Sequence, residues 1–270
     1  TMDSPDQGAF GIPITSTTYE NSTLILTVKS AGLEYEGVLG DDEIITGNLK
    51  QGGLTFPLDL SRGVVEIEAY KRPQEPNEPF PYYSEEVVFS NKKDGVDLSG
   101  TLTLPSKKGN FPVVILISGS GPQDRNEELL GHKPFLVLSD YLTRNGIAVL
   151  RYDDRGTAKS TGDFSSATSA DFSKDVEAGV NYLKSRKDID KRKIGLIGHS
   201  EGGLIAPMVA SRNKKIAFIV LLAGPGIPGD QLLLLQQKLI GKASGISEEL
   251  LLKNEEMNRK AFEIIRNSTN

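Results

Sequence analysis

Lys193-Ile-Gly-Leu-Ile-Gly-His-Ser-Glu-Gly-Gly-Leu204 is the stretch on which the reading of this chain turns. Its first half is a short apolar run bounded by glycines, the pattern of a buried strand; its second half opens a helix-forming stretch. Between them Gly198-His199-Ser200-Glu201-Gly202 fits G-x-S-x-G, whose chemistry depends on a strand running in and a helix running out. In such a turn the serine occupies a strained backbone position and its Oγ stands above the carboxyl edge of the sheet. Gly198 and Gly202 leave space where side chains two before and two after the serine would collide, and Gly203 lets the helix pack closely. The helix N-terminus directs backbone N–H groups to where an oxyanion would form. Ser200 is therefore the candidate nucleophile. The plainer alternative is a glycine-rich turn that binds nothing or a phosphate, but neither G-x-G-x-x-G nor G-K-[ST] occurs here.

The residues around this turn extend the pattern. Upstream lie the strands Val113 to Ser118 and Ile147 to Tyr152, with a helix over Pro134 to Arg144 between them. A second helix is expected over Ser169 to Arg186. Its start carries capping-box spacing at Thr168 and Asp171, and its apolar stripe is Phe172, Val176, Gly179/Val180 and Leu183. Lys193 to Gly198, a helix from about Glu201, and the strand Ile216 to Ala223 complete the series. Strands alternating with helices predict right-handed crossovers and a mostly parallel sheet, and uninterrupted apolar strands predict helices on both faces. Glu85 to Ser90 and Val96 to Leu104 read as a preceding strand pair. Beyond Gly226 two helices are expected, a leucine-rich one over Asp230 to Ile240 and a charged one over Ser247 to Arg266.

Four units follow: an antiparallel β-rich module over 1–70, a proline-rich linker over 71–84, the α/β core over 85–225 and a helical segment over 226–270. In the first, Leu54, Phe56, Leu58 and Leu60 alternate with polar positions, and Gly32, Gly40 and Gly52-Gly53 supply tight turns, giving a meander or partial barrel. Pro57 belongs on an edge strand. The linker holds four prolines between Lys71 and Ser84, an extended spacer.

Composition narrows the chemistry. The 270 residues include no cysteine and two histidines, which excludes thiolate nucleophiles, disulfides and Cys-type or all-histidine metal centres. A net charge of −5 argues against a nucleic-acid partner. No apolar run approaches the ~18 residues of a membrane span.

A second element supports acyl transfer. Ile117-Ser-Gly-Ser-Gly-Pro-Gln-Asp-Arg125 directly follows an apolar strand. A serine hydrolase needs two backbone donors for its oxyanion, one from the residue after the nucleophile and one from the loop after the third strand. These are Glu201 and, by position, Ser120, with Gly121 the near alternative; a plain glycine turn is the bland reading.

With these motifs in order, residues 85–225 resemble the α/β-hydrolase superfamily, specifically bacterial serine carboxylesterases with S-G-S-G-P-Q-D-R after one strand and G-H-S-E-G-G after another. Arg151-Tyr-Asp-Asp-Arg-Gly-Thr-Ala-Lys-Ser160 is similar to the family's D-x-R-G-x-G-x-S loop, with Ala158 replacing the second glycine and a slightly different loop path expected. The stretch Asp3 to Gly8 and the β repeats resemble the N-terminal module of the same esterases. The resemblance implies a doubly wound sheet, hydrolysis of a small-molecule carboxylic ester without cofactor, and a periplasmic or secreted location.

The triad order in this fold is Ser, then Asp/Glu, then His, yet no histidine follows Ser200. His199 is expected to turn away and pack in the turn, and His132 to lie at most at a pocket rim. Asp230 follows the fourth parallel strand and is a candidate acid, with a helix N-cap its plainer role. The simplest expectation is a fragment, lacking a C-terminal segment that supplies acid and base and starting after early N-terminal strands. A sheet ending at Ile216–Ala223 would leave an apolar edge exposed. A peptidase or acyltransferase of the same fold, or a non-catalytic binding protein, are the alternatives.

Overall fold

The computed structural model describes residues 1–4, 9–63 and 72–268. The parts of the β module at 5–8 and 64–70, Lys71 of the linker and residues 269–270 lie outside the described residues. The chain divides into two compact units, Thr1–Pro73 with Leu129–His132, and Gln74–Glu128 with Lys133–Asn270.

In the smaller unit, β1 (Met2–Ser4) pairs antiparallel with β2 (Ala9–Ile12). A five-stranded meander follows, β3 (Ser16–Glu20), β4 (Thr23–Val28), β5 (Leu33–Leu39), β6 (Ile45–Gln51) and β7 (Leu54–Leu60), paired in sequence order. Leu33, Tyr35 and Gly37 are buried while Glu34 and Glu36 between them are exposed, the period of two that places one face inward. Gly47 makes room for the Tyr35 ring, whose hydroxyl lies 3.1 Å from the carbonyls of Ile45 and Leu58. Pro57 sits on β7, the last strand of that order among the described residues, in keeping with the edge position expected of it. Also in this unit, the His132 ring lies against the Arg72 guanidinium, which donates to the Leu130 carbonyl at 2.8 Å.

The larger unit is built on six strands: β8 (Tyr83–Asn91), β9 (Val96–Leu104), β10 (Phe111–Ile117), β11 (Ala148–Tyr152), β12 (Ile189–His199) and β13 (Ile216–Leu222). Strand β8 thus opens inside the proline-rich stretch. The order is β13-β12-β10-β11-β9-β8; β13, β12, β10 and β11 run parallel, and the β8–β9 hairpin is antiparallel. The crossovers are α1 (Pro134–Arg144), α2 (Ser169–Ser185) and α3 (Gly202–Arg212).

Helices cover both faces because the strands are apolar at successive positions. Val113, Ile115 and Ile117 of β10 share a core with Val176, Val180 and Leu183 of α2 and Ile205 and Val209 of α3. Val114 and Leu116 point the other way, onto Phe135, Leu138 and Leu142 of α1. Each fully buried Leu or Ile contributes roughly 1.5–3 kcal/mol. Helix α2 begins where the capping spacing places it, with the Thr168 amide donating to Asp171 Oδ2 at 3.0 Å. Strand β13 is the outer strand on its side, and Phe218, Leu221 and Leu222 are exposed there.

Two helices follow β13, α4 (Gly229–Ala243) and α5 (Glu248–Asn267). A groove of about 550 Å³ lies between them, lined by Leu233, Leu234, Ile240, Leu251 and Met257. Asp230 does not cap α4: Pro228 holds that position, and the Asp230 carboxylate in the first turn accepts from Arg266. That ion pair, with the positive end of the helix dipole, accounts for an acidic residue there.

Candidate active site

The turn from β12 into α3 has the geometry that its glycines suggest. Ser200 adopts φ of +49°, left-handed for a residue with a side chain. A Cβ on Gly198 would collide with the Gly202 carbonyl, one on Gly202 with the Ile117 carbonyl, and one on Gly203 would lie 2.5 Å from Gly224 Cα. The Ser200 amide donates to the Leu222 carbonyl at 2.9 Å, and the Gly203 amide donates back to the Ser200 carbonyl at 2.9 Å. The elbow is therefore pinned between β13 and its own helix. Glu201 sets the first turn of α3, and its side chain accepts 2.5 Å from Ser169 Oγ at the start of α2.

The loop after β10 lies directly against this turn. A Cβ on Gly119 would sit 3.2 Å from Ser200 Cβ, so only glycine fits that approach without displacement. The Ser120, Gly121 and Glu201 amides have no hydrogen-bond partner among the described residues. Free donors beside a serine at a helix N-terminus are what an oxyanion requires. Ser120 and Gly121 remain equivalent in this respect. Gly119 is not: its N–H donates to Glu127 Oε1 at 2.6 Å.

The remaining S-G-S-G-P-Q-D-R residues hold the loop. The Arg125 guanidinium reaches Asp153, Glu86, Thr101 and Ser99 at 2.6–3.0 Å. Asp154 accepts from Ser118 Oγ at 2.7 Å and from the Gln123 amide at 3.1 Å. Burial pushes the Asp154 carboxyl up to about 7, against those two hydrogen bonds, with the Asp175 and Glu127 charges adding to the rise. Burial also raises Asp153, but the Arg125 hydrogen bonds outweigh it and hold that carboxyl below its ordinary value. Deeper in the same loop Arg155 pairs with Asp175 at 2.6 Å and Asp94 at 3.0 Å. Ala158 takes φ of +47°, so it supplies the left-handed residue for which glycine is the usual choice.

Beneath the elbow is a cavity of about 10 Å³, at the threshold for one water. Ser118, Asp154, Glu201, Phe164 and Phe172 are among its lining residues.

His199 departs from the expectation of a packed turn residue. Its side chain is half-exposed, and Nδ1 lies 2.7 Å from Glu127 Oε1, an acceptor from a loop 72 residues upstream. No hydrogen bond joins it to Ser200. Glu127 was not legible as a site residue; nothing in its spacing from Ile117-to-Arg125 signals the contact. Among the described residues no group of three or more His, Asp or Glu is placed to hold a metal, and no helix is long and apolar enough to cross a membrane.

Comparison with known proteins follows this architecture. A family model described as serine aminopeptidase, S33, matches residues 134–267. Esterase EstD of Thermotoga maritima is 32% identical over 226 residues, covering 80% of this chain and 54% of the esterase. Human acyl-coenzyme A thioesterase 1 is 29% identical over 127 residues, covering 46% of this chain and 26% of the thioesterase. Among solved structures, the Pyrococcus furiosus esterase Pf2001 aligns with a TM-score of 0.49 and 26% identity, covering 68% of this chain and 64% of that one. The sheet order, with these matches, gives the chain the α/β-hydrolase fold. It spans just over half the length of EstD.

Proposed function

We propose that this chain carries the nucleophile and oxyanion half of a serine esterase acting on small-molecule carboxylic esters. Ser200 Oγ bonds to the acyl carbon as its proton passes to a base, and the tetrahedral oxygen is held by the amides of Glu201 and Ser120. Collapse expels the alcohol, which takes that proton, and leaves an acyl group on Ser200; water reverses the sequence to release the acid. The acid and histidine base come from outside residues 1–270. The exposed apolar edge of β13 supports a further strand beside it.

The observation that carries this reading is the Ser200 backbone at φ +49°, set against Gly119 and flanked by unpaired amides. The resemblance to EstD supports an ester over a peptide substrate, while the S33 match keeps the peptidase reading as the competitor. The test compares a short-chain p-nitrophenyl ester with an aminoacyl anilide, using the complete protein that contains this chain. Ester turnover that Ser200→Ala abolishes supports the esterase; preference for the anilide favours the peptidase; inertness towards both favours a binding protein.

A further inference from the structure

Glu127 belongs to none of the motifs, yet it is 6% exposed and its backbone takes φ of +51°. A left-handed conformation in a residue with a long side chain is uncommon and is kept where the surroundings impose it. Here the surroundings are a tight turn: the Glu127 amide donates to the Asp124 carbonyl at 2.9 Å, and Asp124 Oδ1 accepts from the Asn126 and Glu128 amides, both at 3.0 Å. The turn delivers one carboxylate oxygen to two targets. Oε1 accepts from the Gly119 amide at 2.6 Å and from His199 Nδ1 at 2.7 Å.

Those targets adjoin the two halves of the proposed site. Gly119 precedes Ser120 in the oxyanion loop, and His199 precedes Ser200 in the elbow. The two segments come from different strands, β10 and β12, and a Cβ on Gly119 would lie 3.2 Å from Ser200 Cβ and 3.3 Å from His199 Nδ1. The geometry points to Glu127 as a positioning residue: by bonding both neighbours through one oxygen, it fixes the oxyanion loop against the nucleophile. An acceptor with two lone pairs does this and a donor does not. The bond also settles the imidazole, since a carboxylate acceptor requires hydrogen on Nδ1 of His199. The inference rests on the esterase reading for its kinetic consequence, while the clamp itself has a separate readout.

The kinetic arm uses the complete protein and a p-nitrophenyl ester. Because a misplacement of about 1 Å costs on the order of 100-fold, Glu127→Ala is expected to lower kcat by about 10- to 100-fold with KM nearly unchanged. Glu127→Gln keeps an acceptor oxygen at the same reach and is expected to recover most of that loss. Glu127→Asp keeps the charge but is one methylene short, so it is expected to behave like Glu127→Ala. It carries the test should Glu127→Ala fail to fold. The second arm is ¹⁵N-histidine NMR on the complete protein at a pH where the imidazole is neutral, with the His199 signal assigned by its loss in His199→Gln. The His199 signal is expected to show the Nδ1–H tautomer in the unaltered protein and in Glu127→Gln, and to shift towards Nε2–H in Glu127→Ala. Full kcat in folded Glu127→Ala or Glu127→Asp overturns the positioning role, as does an Nε2–H tautomer in the unaltered protein. An unaltered protein that lacks esterase activity but shows the Nδ1–H signature overturns the esterase reading and leaves the clamp standing.

Discussion

Arg125 and Asp153 are joined by three hydrogen bonds: the Arg125 amide and Nε donate to Oδ1 at 2.9 and 3.0 Å, and Nη2 donates to Oδ2 at 2.8 Å. Their side chains are 11% and 2% exposed, so this is a largely desolvated ion pair at the base of the loop that follows β10. Arg125→Ala leaves Asp153 buried without its cation and is expected to destabilise the protein by about 3–5 kcal/mol. Arg125→Lys does not restore it, because an ammonium cannot reproduce the planar fork. Urea unfolding measures both; a lysine variant as stable as the parent contradicts the account.

Gly202 and Gly229 offer a matched pair. A Cβ on Gly202 strikes the Ile117 carbonyl, a backbone atom that cannot swing aside, whereas a Cβ on Gly229 meets nothing within 4 Å. Gly202→Ala is expected to cost about 3 kcal/mol and to misplace Ser200. Gly229→Ala should stay within about 0.5 kcal/mol of the parent. Thermal melts decide this, and equal shifts in the two variants would count against the crowding argument.

How much of this was readable beforehand follows from which forces act locally. The strand β10 and helix α2 were legible because a run of apolar residues, a 3.6-residue stripe and the Thr168/Asp171 spacing are properties of contiguous sequence. The elbow at Ser200 was legible because glycines report backbone crowding directly. The Glu127–His199 bond was not, since it joins residues 72 apart through a turn with no periodic signature. Chain adjacency to Ser200 suggested that His199 packs away, but a buried acceptor arriving from another loop decides its orientation. Asp230 was misplaced as a cap because the helix starts one residue before it, at Gly229.

Asp154 gives a pH dependence with a definite sign. Its carboxyl lies near 7 in the folded chain against an ordinary value of 3.8, so the folded state holds a proton that the unfolded state has released. The group's contribution is fully present below the unfolded value and is lost as pH rises through about 7. Asp154→Asn removes that slope. The stability of the parent relative to Asp154→Asn should therefore fall between about pH 4 and about pH 7 in urea titrations and level off above that. A difference that stays flat or grows refutes the assignment.

Ala158 holds φ of +47° in a loop position where a side chain costs about 1–2 kcal/mol. Glycine relieves that strain and gives back part of the gain as unfolded-state entropy, so Ala158→Gly is expected to raise stability by up to about 1 kcal/mol. A destabilised variant in differential scanning calorimetry means the loop is not strained there.

The most direct examination of the nucleophile is peptide mass spectrometry after exposing the complete protein to a serine-directed phosphonate. The account expects the adduct on the peptide containing Gly198-His199-Ser200-Glu201-Gly202 and its disappearance in Ser200→Ala. An adduct on another serine, or undiminished labelling of Ser200→Ala, contradicts it.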